Sequence, residues 1–335
     1  MSVPIIAFFN NKGGVGKTSL VYHLAWMYHE LGLRVVAADL DPQANLTAAF
    51  LSEERLENLW LLDQQPNTIY RCVQPLLRGI GDIAVPQLIN IEARLALLVG
   101  DLLLSGFEGN LATEWPGCMD RKERSFRVTS AFWRILQRVI RIHTASVILL
   151  DLGPNLGAIN RAALIAADYV VTPLAPDLFS LQGLKNLGPT LVRWREGWQE
   201  RQAKNPADNL SLPAGNMQPI GYIVLQHLQH SVRSDRPVKA YQRWIERIPG
   251  TYRQAMLNQS NDNVTHVETD PYCLALVKHY KSLMPLAQAA HKPIFHLTSS
   301  DGIVGGSTQS VRSAYSDFEQ LARRIVRNCK LSKIQ

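Results

Sequence analysis

Cysteine is scarce: Cys72, Cys118, Cys273 and Cys329 are the four in 335 residues. None forms a C-x-x-C pair or stands at zinc-finger spacing from a histidine, which argues against a disulfide framework and a structural zinc site. Isolated thiols of this kind are expected buried, in a reducing cytosol. Long apolar runs are missing too. The best, residues 95–104, is broken by Gly100 and Asp101, far short of the roughly 18 residues a spanning helix needs. The first residues lead straight into an apolar run, so no signal peptide is expected and the chain reads as cytoplasmic. There is no internal repeat and no low-complexity tract. What remains is 46% hydrophobic, the composition of a soluble globular protein with a substantial core. The net charge of +7 leaves room for an acidic partner, DNA or an anionic membrane surface.

The chain is organised around Asn10-Asn11-Lys12-Gly13-Gly14-Val15-Gly16-Lys17-Thr18-Ser19. An apolar run over residues 4–9 precedes it and predicts a buried strand. Leu20, Val21, Leu24, Ala25, Tyr28 and Leu31 follow at helical spacing. Strand, glycine-rich turn and helix is the setting of a phosphate-binding loop. Glycines let successive backbone N–H groups converge on an anion, and the helix N-terminus adds free donors. Lys17 is expected on the β- and γ-phosphates of a nucleotide, and the Thr18 hydroxyl on Mg²⁺.

Carboxylates recur at strand ends. Residues 33–38 predict a second strand, closed by Asp39-Leu40-Asp41-Pro42-Gln43-Ala44-Asn45-Leu46-Thr47. Two aspartates two apart point the same way, toward the edge where α/β sheets bind ligands. Residues 147–150 form another apolar run ending in Asp151, followed by Leu152-Gly153-Pro154-Asn155-Leu156-Gly157. Further strands are expected over 95–99, 169–174 and 219–225, the last being the final strand the sequence marks. A polar Asn/Pro/Gly-rich stretch over 197–218 reads as a surface loop. Residues 50–120 are acidic and carry no recognisable chemistry. Residues 126–142 predict one amphipathic helix with its arginines in solvent.

With Lys12 before the glycines, the loop reads K-G-G-V-G-K-T, and the chain resembles the ParA/MinD-type ATPases with their deviant Walker A motif. The D-P-Q-A-N-L-T segment resembles the family's D-P-Q-G-N-x-T, with Ala44 where glycine is usual. The segment from Asp151 to Gly157 resembles D-x-P-P-S-L-G. Pro173, Pro176 and Asp177 correspond to the family's loop beside the adenine, and Gln182-Gly183-Leu184 to its x-G-L. Residues 283–294 resemble the family's K-P-I segment, with His291 replacing glycine. The resemblance implies a doubly wound, mostly parallel β-sheet flanked by helices on both faces, as one domain over 1–335 with a helical elaboration at about 50–125. It implies ATP/ADP and Mg²⁺ as cofactors and Gly13, Gly14, Val15, Gly16, Lys17, Thr18 and Ser19 as the phosphate cradle. Asp39 and Asp151 join Thr18 at the metal, Asp41 positions the attacking water, and Lys12 crosses to the partner's nucleotide in an ATP-sandwich homodimer.

Basic residues suggest what such a dimer grips. Arg233, Arg236, Lys239 and Arg243 line one segment, and Arg323, Arg324, Arg327 and Lys330 crowd the end of an amphipathic helix at about 310–330. His227 and His230 lack the further ligands a metal needs. In a ParA-like chain that helix docks on the sheet and its basic end meets DNA. In a MinD-like chain its apolar face enters lipid. Tyr315 and Phe318 in mid-helix favour docking. The expected function is therefore an ATP-dependent dimerising ATPase that binds DNA non-specifically, positions DNA or another cargo, and is reset by slow hydrolysis. A ParB-like or cargo-adaptor protein would stimulate it, and the protein would associate with the nucleoid. A MinD-like membrane cycle and a regulatory or assembly ATPase of the same family are the alternatives. A nitrogenase-iron-protein-like reductase needs two cluster cysteines, and only Cys118 approaches the third strand-end aspartate.

Overall fold

Strand β5 (Val147–Asp151) is apolar at four of its five positions and buried at all of them. A run of that kind belongs in the middle of a sheet covered on both faces. The computed structural model, which describes residues 3–61, 68–227, 242–260, 266–278, 280 and 283–329, places it there. The elements follow in chain order as β1 (Ile5–Phe8), α1 (Lys17–Glu30), β2 (Val35–Asp39), α2 (Asn45–Phe50), α3 (Glu53–Leu61) and α4 (Ile69–Arg78). Next come β3 (Ile89–Glu92), β4 (Leu95–Leu98), a 3₁₀ segment (Leu102–Phe107), α5 (Glu108–Gly117), α6 (Glu123–Thr129) and α7 (Ala131–His143). After β5 come α8 (Ala158–Ala166), β6 (Tyr169–Leu174), α9 (Leu178–Gln202), β7 (Gln218–His227) and α10 (Ile248–Leu257). The chain closes with β8 (Cys273–Lys278), α11 (Leu283–Ala290) and α12 (Ser307–Asn328).

The sheet has eight strands in the order β3-β4-β2-β5-β1-β6-β7-β8. All pairs are parallel except β3 with β4. Alternate side chains feed two cores. Ile148 and Leu150 join the one beneath α4 to α10, and Val147 and Leu149 the one beneath α1, α2, α3 and α12. The expected doubly wound, mostly parallel sheet is therefore the observed one. Strand β1 lies between β5 and β6, so the chain leaves it one way through α1 to β2 and later fills the other side. The crevice for a ligand opens at the C-terminal strand ends around that reversal.

Four expectations change. Strand β7 is not the last, because β8 pairs parallel with its outer edge. Helix α9 runs on to Gln202, through the start of the expected 197–218 loop, because Trp198 is fully buried and its indole N–H donates to the Pro213 carbonyl at 2.9 Å. The single helix over 126–142 is two helices broken at Ser130. Three of its four arginines are engaged rather than solvated: Arg127 and Arg134 both hold Asp82, at 2.7 and 2.6 Å, and Arg138 donates to the Ile83 and Ala84 carbonyls. Arg141 is exposed, as expected. Helix α12 buries Val311, Ala314, Phe318, Leu321, Ala322, Ile325 and Val326, so its apolar face is occupied by the protein's own core. The four cysteines are all free and buried.

Candidate active site

The loop between β1 and α1 turns through Gly14 and Gly16, with φ of 71° and 88°, a region that side-chain-bearing residues enter only at a cost of about 1–2 kcal/mol. Gly16 is the N-cap of α1 and its carbonyl accepts the Leu20 N–H at 3.0 Å, so the helix starts directly on the loop. Lys17 is buried and its Nζ donates to the Lys12 carbonyl at 3.2 Å. Burial lowers its pKa, opposed by the charges of Asp151 and Asp41.

Asp151 and Asp41 face it, and Asp39 lies beside them. Asp39 and Asp151 end neighbouring strands in direct register, and Phe8 of β1 is in register with Asp151 on the other side. Both aspartates are fully buried. Burial first, and their mutual repulsion and that of Asp41, push both pKa values up. The Thr18 hydroxyl donates to Asp151 Oδ2 at 2.7 Å, while Asp151 Oδ1 is buried with no hydrogen-bond partner. A buried orphan carboxylate oxygen, a second carboxylate and a hydroxyl form a hard-oxygen set that fits Mg²⁺. Mg²⁺ takes one or two carboxylates and completes its shell from phosphates and water. Among the described residues no cage of three or more His, Cys, Asp or Glu that could hold a metal is assembled. Asp41 accepts the Gln43 N–H at 3.0 Å and lies against Gly153, where a Cβ would stand 3.1 Å from its Oδ1. Glycine stands there where the resemblance expects proline.

Lys12 lies at the rim. Its ammonium pairs with Asp177 of its own chain and stands 5.9 Å from the exposed Phe179 ring. Asp177 also N-caps α9 through the Ser180 N–H at 2.8 Å. Burial raises the Asp177 pKa, but the hydrogen bonds from Lys12 and Ser180 outweigh it and the net shift is downward. The Pro173 carbonyl accepts from Asn10 Nδ2 at 2.7 Å, tying the end of β6 to the loop. Gly183 on α9 is equally tight: a Cβ there would stand 2.6 Å from Asn11 Oδ1.

An apolar cavity of about 120 Å³ adjoins the loop on its other side, lined by Val15, Gly16, Ser19, Leu225, Tyr280 and Phe318 among others. Pro173, Pro176 and Asp177 do not line it. Leu225 and Phe318 are expected only as strand and helix-face positions, and Tyr280 not at all. They come from three distant segments, and no local pattern brings them together. The same holds for Glu108, which caps α8 by accepting the Ile159 N–H at 2.8 Å.

Among the described residues, the basic candidates are not gathered into one surface. Arg243 is exposed beside Trp244 in the layer of α10, whereas α12 lies in the opposite layer. Arg323 pairs with Glu319 one turn earlier, and Arg324 and Arg327 are exposed. Arg233, Arg236, Lys239 and Lys330, with His230, lie outside the described residues.

A family model for the AAA domain matches residues 3–202, the span that carries Lys12, Lys17, Asp39, Asp41, Asp151 and Asp177. The chain belongs to the ParA/MinD family. Relatives of this ParA/MinD chain include Protein IncC of Escherichia coli, 32% identical over 56% of this chain and 45% of that one. The sporulation initiation inhibitor Soj of Bacillus subtilis is 28% identical over 55% and 62%. The chromosome partitioning protein ParA of Caulobacter vibrioides is 29% identical over 57% and 63%. The chain thus spans only about half to two thirds of these relatives. Among solved structures, a Corynebacterium diphtheriae protein superposes with a TM-score of 0.68 at 23% identity, covering 97% and 98% of the two chains. Cyanothece McdA(D38A) in its ATP complex gives 0.60 at 14%, covering 99% and 98%. Both share the fold. Among the described residues no helix is long and apolar enough to cross a membrane.

Proposed function

We propose that this chain is an ATPase that dimerises around ATP, binds DNA non-specifically in that state, and so partitions or positions DNA or another cargo until hydrolysis releases the dimer. The observation that carries the reading is the division of labour between two lysines. Lys17 is buried among the carboxylates, whereas Lys12 sits at the rim, its side chain 29% exposed and parked on Asp177. A lysine so placed is poised to reach a second copy closing over the same edge.

In this reading the loop from Gly13 to Ser19 cradles the phosphates with its backbone N–H groups, and Lys17 neutralises the β- and γ-phosphates. Thr18, Asp39 and Asp151 would hold Mg²⁺, whose contribution when bound is to offset phosphate charge. Asp41 orients the attacking water, and the apolar cavity beside Ser19 suits the flat face of the base. The chain's contribution is positioning and electrostatics, so turnover is slow until a partner protein completes the arrangement.

DNA contact would fall to exposed cations such as Arg243, Arg324 and Arg327, through phosphates, with affinity dropping steeply as salt rises. A lipid-inserting helix is disfavoured because the apolar face of α12 is occupied. The test is sedimentation and DNA binding of wild type, Lys12→Ala and Asp41→Ala with ATP. Asp41→Ala should accumulate as a DNA-bound dimer, and Lys12→Ala should stay monomeric. An ATP-trapped dimer that ignores DNA overturns the partition reading. A Lys12→Ala protein that dimerises and hydrolyses normally overturns the role given to Lys12.

A further inference from the structure

The D-P-Q-A-N-L-T segment ends on a residue to which the proposed mechanism gives no part. Thr47 is fully buried. Its backbone N–H and its hydroxyl both reach Asp39 Oδ2, each at 2.8 Å. The hydroxyl is itself the acceptor of the Gly100 N–H at 2.8 Å. A hydroxyl has one proton to give, and with an N–H already aimed at its oxygen that proton is committed to the carboxylate.

Gly100 is equally constrained from the other side. A Cβ at this position would stand 2.7 Å from Asp39 Cγ and 2.8 Å from Oδ2, so only glycine lets its backbone and the carboxylate approach this closely. The next residue is fixed in turn. Asp101 accepts the Thr68 hydroxyl at 2.6 Å and the Leu103 N–H at 2.9 Å. The chain leaving β4 is thus held against α4, inside the acidic stretch for which the sequence offers no role.

We propose that Thr47, braced by the Gly100 N–H, is a positioning residue that holds Asp39 in its metal-facing orientation and so sets how strongly the nucleotide site takes up Mg²⁺. The proposal rests on reading the site as one for a Mg²⁺–nucleotide. Asp39 Oδ2 is tied on Thr47 and Oδ1 accepts the Asp41 N–H at 3.2 Å, so the carboxylate has one orientation beside Asp151. Without the hydroxyl, Oδ2 loses a partner and the Gly100 N–H is left buried and unpaired.

The test titrates Mg²⁺ into full-length protein with a fluorescent ATP analogue, and repeats the binding in EDTA. Thr47→Val, which keeps the shape and removes the hydroxyl, should raise the Mg²⁺ concentration at half-saturation roughly tenfold, the scale of one lost hydrogen bond to a charged group. Thr47→Ser should restore it to within about twofold, and binding in EDTA should be unchanged in both. Gly100→Ala, which leaves the hydroxyl in place and displaces the carboxylate, should shift the same midpoint, so the proposal survives a Thr47→Val chain that fails to fold. A folded Thr47→Val protein with the wild-type midpoint overturns the proposal, as does one that loses binding in EDTA to the same extent. A wild type whose nucleotide binding is indifferent to Mg²⁺ overturns the reading of the site, and the proposal with it.

Discussion

Replacing Asp177 by asparagine isolates the rim contact of Lys12 from everything else that residue does. Asn and Asp are equivalent N-cap residues, so the hydrogen bond from the Ser180 N–H and the start of α9 are kept. What is lost is the ion pair with Lys12. Both side chains are about 30% exposed, at 29% and 30%, so solvent screening holds the pair to about 0.5–1 kcal/mol. If Lys12 must leave Asp177 to reach a second copy, two such pairs break per dimer. Asp177→Asn should then tighten ATP-dependent dimerisation by about 1–2 kcal/mol, roughly a 5–30-fold fall in the dimer dissociation constant. Analytical ultracentrifugation with a non-hydrolysable ATP analogue measures it. The gain should shrink as salt rises, because the pair it removes is partly exposed. An unchanged dissociation constant would show that the pair does not oppose dimerisation. A weaker dimer would show that Asp177 works on the partner side, and the reasoning fails.

Two further outcomes concern buried or strained positions. His23 is completely buried, with Nδ1 on the Ser19 carbonyl at 2.6 Å and Nε2 accepting the Ile294 N–H at 3.1 Å. Burial lowers its pKa to about 4, so the unfolded chain takes up a proton first as pH falls. Its share of stability is complete above the ordinary histidine pKa near 6.5 and is lost between there and about 4, to a total of roughly 3 kcal/mol. Melting temperature against pH should therefore fall less over that window in His23→Gln than in wild type, and parallel curves would remove the assignment. Ala44 stands at φ 51°, ψ 32°, the left-handed region where a side chain costs about 1–2 kcal/mol. Glycine there relieves that cost but frees the unfolded chain by about 0.4–1 kcal/mol, so Ala44→Gly should stabilise slightly, by roughly 0.5–1 kcal/mol. A destabilised variant in chemical denaturation would mean the methyl is worth more in packing than the strain it carries.

The parts legible in the sequence share one physical property: each depends on residues close together in the chain. The apolar run before Asn10, the glycines that need positive φ, and the helix after them are local, and so they name the phosphate loop. Asp39, Asp41 and Asp151 are readable because strands in a parallel sheet deliver their terminal residues to one edge. Ala44 and His291, out of pattern by sequence, both take up the left-handed conformation that a glycine would adopt freely.

Contacts between distant segments were decided only by the tertiary structure. Strand β3 alternates apolar and polar residues, but over only four positions, none of them buried, too short a run to stand out. Strand β8 is an edge strand, set by its parallel pairing with β7. Arg127 and Arg134 look solvated on a helical wheel, yet both meet Asp82, a residue 45 and 52 positions earlier in the chain. Lys12 and Asp177 are 165 residues apart, and Gly100 and Thr47 are 53. The sequence by itself determined which polar groups gather around the glycine-rich loop and the strand ends beside it. Which neighbour orients each of them, and which lysine is held at the rim, depended on bringing separate strand ends within hydrogen-bonding distance, and no local pattern encodes that.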